Sequence, residues 1–164
     1  MIKATVLSLI LALTPSLAAA ADITGRASVI DGDTIEINGV RVRFEGIDAP
    51  ESRQVCENAA GKAYRCGQTS AKALDAFLAK SRPTTCTATG SSYERVGGYF
   101  VRADDADINS WMVRNGYAID WPKYSAGRYA SEQAEAQASR VGIWAGRLTR
   151  LALCVARAVT EVPY

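Results

Sequence analysis

The sequence predicts a mainly β domain of the α+β class, in which five strands form a small barrel and three helices pack outside it. Apolar and polar residues alternate in segments 27–37 and 40–47, as they do in half-buried strands. Asn38-Gly39 between these segments is typical of a two-residue hairpin turn. Helical spacing recurs in three later segments, separated by two further strands. This order favours a partly open barrel of the OB type, and an α+β sandwich is the alternative.

The first hairpin can be predicted residue by residue. Counting outward from the turn pairs Ile37 with Val40, Glu36 with Arg41, Ile35 with Val42, and Thr34 with Arg43. The apolar residues that then share the buried face are Ile35, Ile37, Val40, Val42 and Phe44. Glu36 and Arg41 should form a cross-strand ion pair, whereas Arg43 lies near the open end of the hairpin, beside Asp33.

The remaining elements follow from spacing and end signals. A helix is predicted within 69–83, with Thr69 or Ser70 as its N-cap. Two strands are predicted over 84–90 and 97–103, with an irregular segment between them. A second helix is predicted from Asp107 to a stop at Gly116, and a third over 131–144, ended by Gly142.

The first 21 residues predict a secretory signal peptide. Lys3 precedes an apolar run over 4–13, and small residues continue to Ala21, a pattern of export signals that is too short to span a membrane. An uncleaved anchor is the alternative. We therefore expect a secreted or periplasmic monomer without membrane association in its mature form, with one domain over 22–147 and a C-terminal tail over 148–164.

Composition narrows the possible chemistry. The chain contains no histidine, which excludes histidine general bases and histidine-ligated metals. Without Lys3, 18 basic residues face 17 acidic ones, a net charge of +1. Because the mature chain lacks overall basicity, any affinity for phosphate must be local.

Four cysteines in an exported chain predict two disulfides. Three pairings are possible, and the simplest is a local bridge between Cys56 and Cys66, which bracket a short loop. That choice leaves Cys86 to pair with Cys154 and to tie the tail to the body.

Charged residues cluster around the hairpin in a pattern suited to phosphodiester chemistry. Asp33 and Asp48 are hard oxygen donors for Ca²⁺ or Mg²⁺, and the backbone carbonyl of Ala49 could complete the shell. Glu51 is a candidate general base, and the planar fork of Arg43 can hold a phosphate through two donors. Taken singly, each of these residues also fits an ordinary turn or a solvated surface.

Together with later segments, these residues resemble the staphylococcal nuclease (thermonuclease) family. The matching motifs are "VIDGDT", "VRFEGIDAPE", "YER" before a strand, "INSWMVRNGYA" and "AEAQA...GIW", and they cover about Ala27 to Trp144. The resemblance implies an OB-fold barrel with three helices. It also implies Ca²⁺-dependent hydrolysis of DNA and RNA that leaves 3′-phosphates.

The resemblance also assigns roles to residues. It makes Asp33, Asp48 and the Ala49 carbonyl calcium ligands, and Glu51 the base that activates water. Arg43 and Arg95 match the two arginines that grip phosphate, and Tyr93 matches a tyrosine of the substrate pocket. This chain departs from the family at Ala49, where threonine is common, and at Glu94, which sets a negative charge beside Arg95.

Two other functions compete with the enzyme. A domain of this fold could be a catalytically weak or inactive module that binds nucleic acid or protein, because a fold does not establish an activity. The chain could also be a structural exported protein whose charges form a solvated rim. Retention of the whole residue set favours the nuclease.

Overall fold

The structure, a computed structural model, describes residues 22–92 and 95–146, with the backbone alone for 90–92, 95 and 96. The strands are β1 (Ile23–Gly25), β2 (Ala27–Val29), β3 (Thr34–Ile37), β4 (Val40–Phe44), β5 (Ile47–Asp48), β6 (Cys56–Glu57), β7 (Ala63–Tyr64), β8 (Thr84–Ser92), β9 (Arg95–Arg102) and β10 (Ile119–Asp120). The helices are α1 (Cys66–Leu78), α2 (Ile108–Arg114), α3 (Pro122–Ser125) and α4 (Ala130–Ala138), followed by a 3₁₀ helix over Gly142–Ala145.

The central feature is a six-stranded sheet in the order β1, β8, β9, β4, β3, β2. Strands β5 and β10 pair separately, as do β6 and β7. The mainly β, α+β class is therefore confirmed. The prediction of a five-stranded barrel is wrong for the described residues, which form an open sheet of six strands with β1 and β2 at its edges. The parallel pairing of β4 with β9 sets Arg43 opposite Gly97. These two strands form the centre of the sheet.

The predicted hairpin is confirmed in its register. All four predicted pairs between β3 and β4 are present, and both turn residues have positive φ, 52° at Asn38 and 80° at Gly39. The Glu36–Arg41 ion pair forms at 3.5 Å. The prediction for Val40 is wrong: its exposed fraction is 38%, because it follows the turn at the outer tip of the hairpin. The other predicted core residues of the hairpin are at most 1% exposed.

Helix boundaries differ from the predictions where tertiary contacts intervene. Helix α1 begins at Cys66 rather than after an N-cap at Thr69 or Ser70, because Cys66 is bonded to Cys56. Helix α2 has the predicted cap: the Asp107 carboxylate accepts from the Ser110 N–H at 2.9 Å.

The last two helical segments also differ from expectation. Helix α4 ends at Ala138 instead of Gly142, and Arg140, with φ of 51°, takes the chain out of helical geometry. The short helix α3 was not predicted; Pro122 begins it, in the position where a helix tolerates proline. The segment 91–96 was predicted to be irregular, but β8 continues to Ser92 and β9 begins at Arg95.

One core packs between the sheet and helices α1 and α2. Its fully buried members include Ile35, Ile37, Val42, Leu74, Phe100, Ile108 and Met112. Cys86 lies in the same core with no exposed surface, bonded to none of the described residues, and burial raises the pKa of its thiol to about 11. Cys154, the signal segment and the tail lie outside the described residues, so the Cys86–Cys154 bridge stays a prediction. None of the described helices is long and apolar enough to cross a bilayer.

The predicted Cys56–Cys66 disulfide is present, across a sequence separation of 10. It joins the β6–β7 hairpin to the first residue of α1 and packs with Ile143 in a second small core. Because the bridge lowers the conformational entropy of the unfolded chain, replacing both cysteines with alanine should lower the unfolding free energy by about 3 kcal/mol.

Thermal unfolding of the Cys56→Ala/Cys66→Ala variant tests this expectation. Its Tm should fall by about 10 °C for a domain of this size, and reductant should lower the wild-type Tm by at least as much. A further drop in the variant on reduction would report the predicted Cys86–Cys154 bridge. A Tm within about 2 °C of wild type would contradict a stabilising role for the local bridge.

Candidate phosphodiesterase site

The site begins with Asp33, which is held at the mouth of the hairpin by close packing. The preceding Gly32 lies against Ser70 and Ala49, and a Cβ on it would come within 2.7 Å of the Ala49 methyl group. This close approach lets the Ala49 N–H donate to Asp33 Oδ2 at 3.3 Å, while Thr34 Oγ1 donates to Asp33 Oδ1 at 3.1 Å. Asp33 is 5% exposed, so its carboxylate is fixed in a largely dry environment.

Arg43 lies between the two predicted metal-ligating aspartates. Its Nη2 atom is 2.8 Å from Asp33 Oδ2 and 2.7 Å from Asp48 Oδ1. Asp33 precedes β3, Arg43 is on β4 and Asp48 ends β5, where pairing with Ile119 of β10 holds it. Three segments therefore converge on one guanidinium, which places the predicted residues in direct contact.

The two aspartates carry more negative charge than the arginine balances. Burial raises the pKa of Asp33 to about 7, although the Arg43 guanidinium acts in the opposite direction. Burial also raises the pKa of Asp48, again against Arg43. Asp31 adds to the rise at both aspartates, and Glu51 adds to it at Asp48. A cation bound at the site would therefore favour the charged form of both carboxylates.

Glu51 and Ala49 occupy the loop that follows β5. Glu51 is exposed and close enough to raise the pKa of Asp48 through charge repulsion. Ala49 is 9% exposed, and the contact it makes in the site is from its N–H to Asp33. The structure thus brings Asp33, Arg43 and Asp48 together and sets Glu51 at the solvent side of the cluster.

The second predicted arginine is placed only in part. The backbone of Arg95 begins β9, two positions before Gly97, the residue paired with Arg43. The Arg95 side chain is not among the described atoms, and Tyr93 and Glu94 lie outside the described residues. The roles given to Arg95 and Tyr93 stay predictions.

Two aromatic residues near the site were missed in the sequence. The Arg43 Cζ atom is 5.8 Å from the ring centroid of Trp121, and Tyr124 meets Trp121 edge to face at 4.5 Å. Tyr124 is 46% exposed. The signal was the segment "WPKY" after β10, which sets two aromatic residues three positions apart in a short connection.

The donor set fits a hard divalent cation such as Ca²⁺. Asp33 and Asp48 supply carboxylate oxygens at the contact with Arg43 Nη2, and oxygen ligands are those that Ca²⁺ prefers. Burial disfavours the charged form of both carboxylates, a cost that a bound dication would offset. Within the described part of the chain, no three acidic or cysteine side chains meet at one point, so backbone oxygens or water would have to complete the shell.

The raised pKa of Asp33 leads to a prediction about stability without metal. Its pKa is about 7 in the folded protein against 3.8 for an ordinary aspartate, so the folded state binds the proton more tightly. The stability that this group contributes is therefore complete below about pH 4 and is lost as the pH rises through about 7. In chelator, Asp33→Asn should gain stability relative to wild type across that interval.

Urea unfolding at several pH values measures this difference. The matched control is Asp104→Asn: the hydrogen bond from Arg102 lowers the pKa of the Asp104 carboxyl, so its effect should be constant between pH 5 and 7 and shrink only in stronger acid. If the difference in unfolding free energy between Asp33→Asn and wild type does not change from pH 4 to 7, the raised pKa of Asp33 is contradicted.

Arg43 thus contacts two carboxylates, the buried Asp33 and the half-buried Asp48, within a mainly β domain. The staphylococcal nuclease homologue family matches residues 41–146, and the chain belongs to this family. The resemblance read from the sequence motifs is thereby confirmed.

Two of the curated relatives are named endonucleases. The chain is 50% identical over 135 residues to the succinoglycan biosynthesis protein ExoI of Rhizobium meliloti (strain 1021), covering 82% of this chain and 71% of that protein. It is 32% identical over 130 residues to an uncharacterized endonuclease of Escherichia coli, covering 76% and 78% of the two chains. It is 29% identical over 131 residues to endonuclease YhcR of Bacillus subtilis (strain 168), covering 71% of this chain and 11% of that protein. The family and two of these names support a nuclease.

Proposed function

We propose that this protein is a calcium-dependent nuclease that hydrolyses phosphodiester bonds of DNA and RNA with little sequence preference. The observation that carries the proposal is the convergence of Asp33 and Asp48 on Arg43 within the fold of this nuclease family. Phosphate contacts carry no base information, so a site built from carboxylates and a guanidinium should accept many sequences. The endonuclease names of two relatives support the same reaction.

Each residue has a role that its position allows. Asp33 and Asp48 hold the cation, which when bound neutralises charge on the phosphate. Glu51, exposed at the edge of the cluster, takes the proton from the attacking water. Both ion pairs of Arg43 use Nη2, and among the described residues Nη1 and Nε have no partner. The remaining nitrogens can therefore donate to two phosphate oxygens and stabilise the charge that grows during attack.

Nearby aromatic side chains suit an unpaired nucleic acid. Trp121 lies beside Arg43 and Tyr124 packs against Trp121, and every base has a face that can stack on an aromatic ring. Single strands and flexible ends should therefore be better substrates than stacked duplex. We also propose that the protein acts outside the cytoplasm, since its signal-like N-terminus and the Cys56–Cys66 bridge suit an oxidising compartment.

A cleavage assay tests the proposal. The purified mature chain should degrade single-stranded DNA and RNA of mixed sequence with Ca²⁺, leave 3′-phosphates, and stop when a chelator is added. Binding of single-stranded DNA without cleavage, at any Ca²⁺ concentration, would favour the rival binding module. Cleavage that persists in chelator would contradict calcium dependence.

A further inference from the structure

The backbone of Glu51 is held on both sides by one residue, Gln54. The Glu51 N–H donates to the side-chain Oε1 of Gln54 at 3.1 Å, and the Gln54 N–H donates to the Glu51 carbonyl at 2.7 Å. Both backbone polar groups of Glu51 are therefore satisfied by the same partner. Because the Glu51 side chain is exposed and has no hydrogen-bond partner among the described residues, its location depends on this backbone clamp.

Gln54 is in turn held by the start of α1. Its carbonyl accepts from the Gly67 N–H at 3.5 Å, and the Cys66 sulfur lies 3.5 Å from the same oxygen, a packing contact because a disulfide sulfur carries no hydrogen. A Cβ on Gly67 would overlap the Glu51 carbonyl, so the helix presses directly against the Glu51 backbone. The disulfide joins Cys66 to Cys56, two positions after Gln54, and closes this arrangement.

We propose that Gln54 is a positioning residue for Glu51 and that the Cys56–Cys66 disulfide keeps the clamp in register. The inference rests on the proposed nuclease function. A general base must lie within hydrogen-bond reach of its water, and a displacement of about 1 Å can cost up to about 10²-fold in rate. Among the described residues, Gln54 makes no hydrogen bond to Asp33 or Arg43, so its loss should act on turnover and not on binding.

Variants of Gln54 test the clamp. Gln54→Ala should lower kcat by about tenfold, with KM and Ca²⁺ affinity within about twofold of wild type. Gln54→Glu keeps an oxygen acceptor for the Glu51 N–H and should recover most of the lost kcat. The matched control is Gln68→Ala, an exposed glutamine in the first turn of α1, which should leave kcat unchanged.

The disulfide provides an independent arm of the same experiment. Cys56→Ala/Cys66→Ala should lower kcat to a similar degree at temperatures where circular dichroism shows it folded. Adding Gln54→Ala to this variant should cause little further loss, because the two changes act on one element.

The outcomes separate the two proposals. If wild type is active and Gln54→Ala has the same kcat, the inference alone is overturned. The same holds if the kcat of Gln54→Glu is no higher than that of Gln54→Ala, or if the losses appear in KM or Ca²⁺ affinity instead of kcat. A wild type that is inactive with Ca²⁺ would overturn the proposed function, and this inference with it. Amide exchange at Glu51, slow in wild type and Gln54→Glu but fast in Gln54→Ala, would support the clamp together with the kinetic result.

Discussion

Glu51→Gln is expected to lower kcat by about 10²-fold or more while Ca²⁺ and substrate still bind. Glutamine keeps the size of the side chain and its capacity for hydrogen bonds, but it cannot take a proton from water. Glu51 is exposed and lies outside the contact between Asp33, Arg43 and Asp48, so the substitution should leave that cluster intact. Steady-state kinetics with single-stranded DNA, paired with Ca²⁺ calorimetry, measures both effects.

The control for this prediction is Glu36→Gln, which removes a carboxylate from the β3–β4 hairpin. Glu36 forms the exposed ion pair with Arg41, away from the site, and its loss should change kcat by less than twofold, since exposed ion pairs contribute little. Undiminished cleavage by Glu51→Gln would exclude Glu51 as the general base.

Arg43→Lys is the second substitution with a large expected effect, a fall in kcat of at least about tenfold, or about 1.4 kcal/mol of transition-state stabilisation. Lysine keeps the charge but has a single donor centre, so it cannot hold Asp33 and Asp48 while also donating to two phosphate oxygens. The contact with the Trp121 ring would also be weakened. The effect should appear in kcat more than in KM, because the charge that Arg43 meets grows in the transition state.

Arg41→Lys is the matched control, two residues earlier on the same strand. Arg41 is 67% exposed in its side chain and pairs only with Glu36 among the described residues. We expect it to be neutral in kcat. Near-normal turnover by Arg43→Lys, or an equal loss in Arg41→Lys, would remove the guanidinium fork from the mechanism.

The hairpin could be predicted from the sequence because its signals are local. Alternation of period two and the Asn38-Gly39 turn specify register without reference to the rest of the chain, and the structure has all four predicted pairs. The same alternation predicts Val40 in the core, yet burial depends on what packs over the strand, and the described residues leave Val40 38% exposed at the hairpin tip.

The site itself was predicted in its members but not in its geometry. Asp33 and Asp48 do not share a face by strand parity, and what brings them together is the close packing at Gly32 and the pairing of Asp48 with Ile119. Both contacts join segments far apart in sequence. That Arg43 would bridge the aspartates could not be read from the hairpin alone.

Elements whose limits depend on tertiary contacts were predicted least well. Helix α1 starts early because a disulfide and the Gly67 contact with Glu51 order its first turn, and neither is visible in local propensity. The open six-stranded sheet depends on β1 joining β8, a pairing across some sixty positions of the chain. No local pattern in the sequence marks Trp121 or Gln54 as part of the site, because their proposed roles depend on contacts with Arg43 and Glu51.

The most direct test of the central claim is a calorimetric Ca²⁺ titration of wild type, Asp33→Ala, Asp48→Ala and Glu51→Gln, each with a nucleotide present. The account predicts that both aspartate variants bind Ca²⁺ more weakly by at least about tenfold, about 1.4 kcal/mol, and that excess metal partly restores their activity. Glu51→Gln should bind Ca²⁺ as wild type does. Wild-type affinity in both aspartate variants, or a loss in Glu51→Gln as large as theirs, would contradict it.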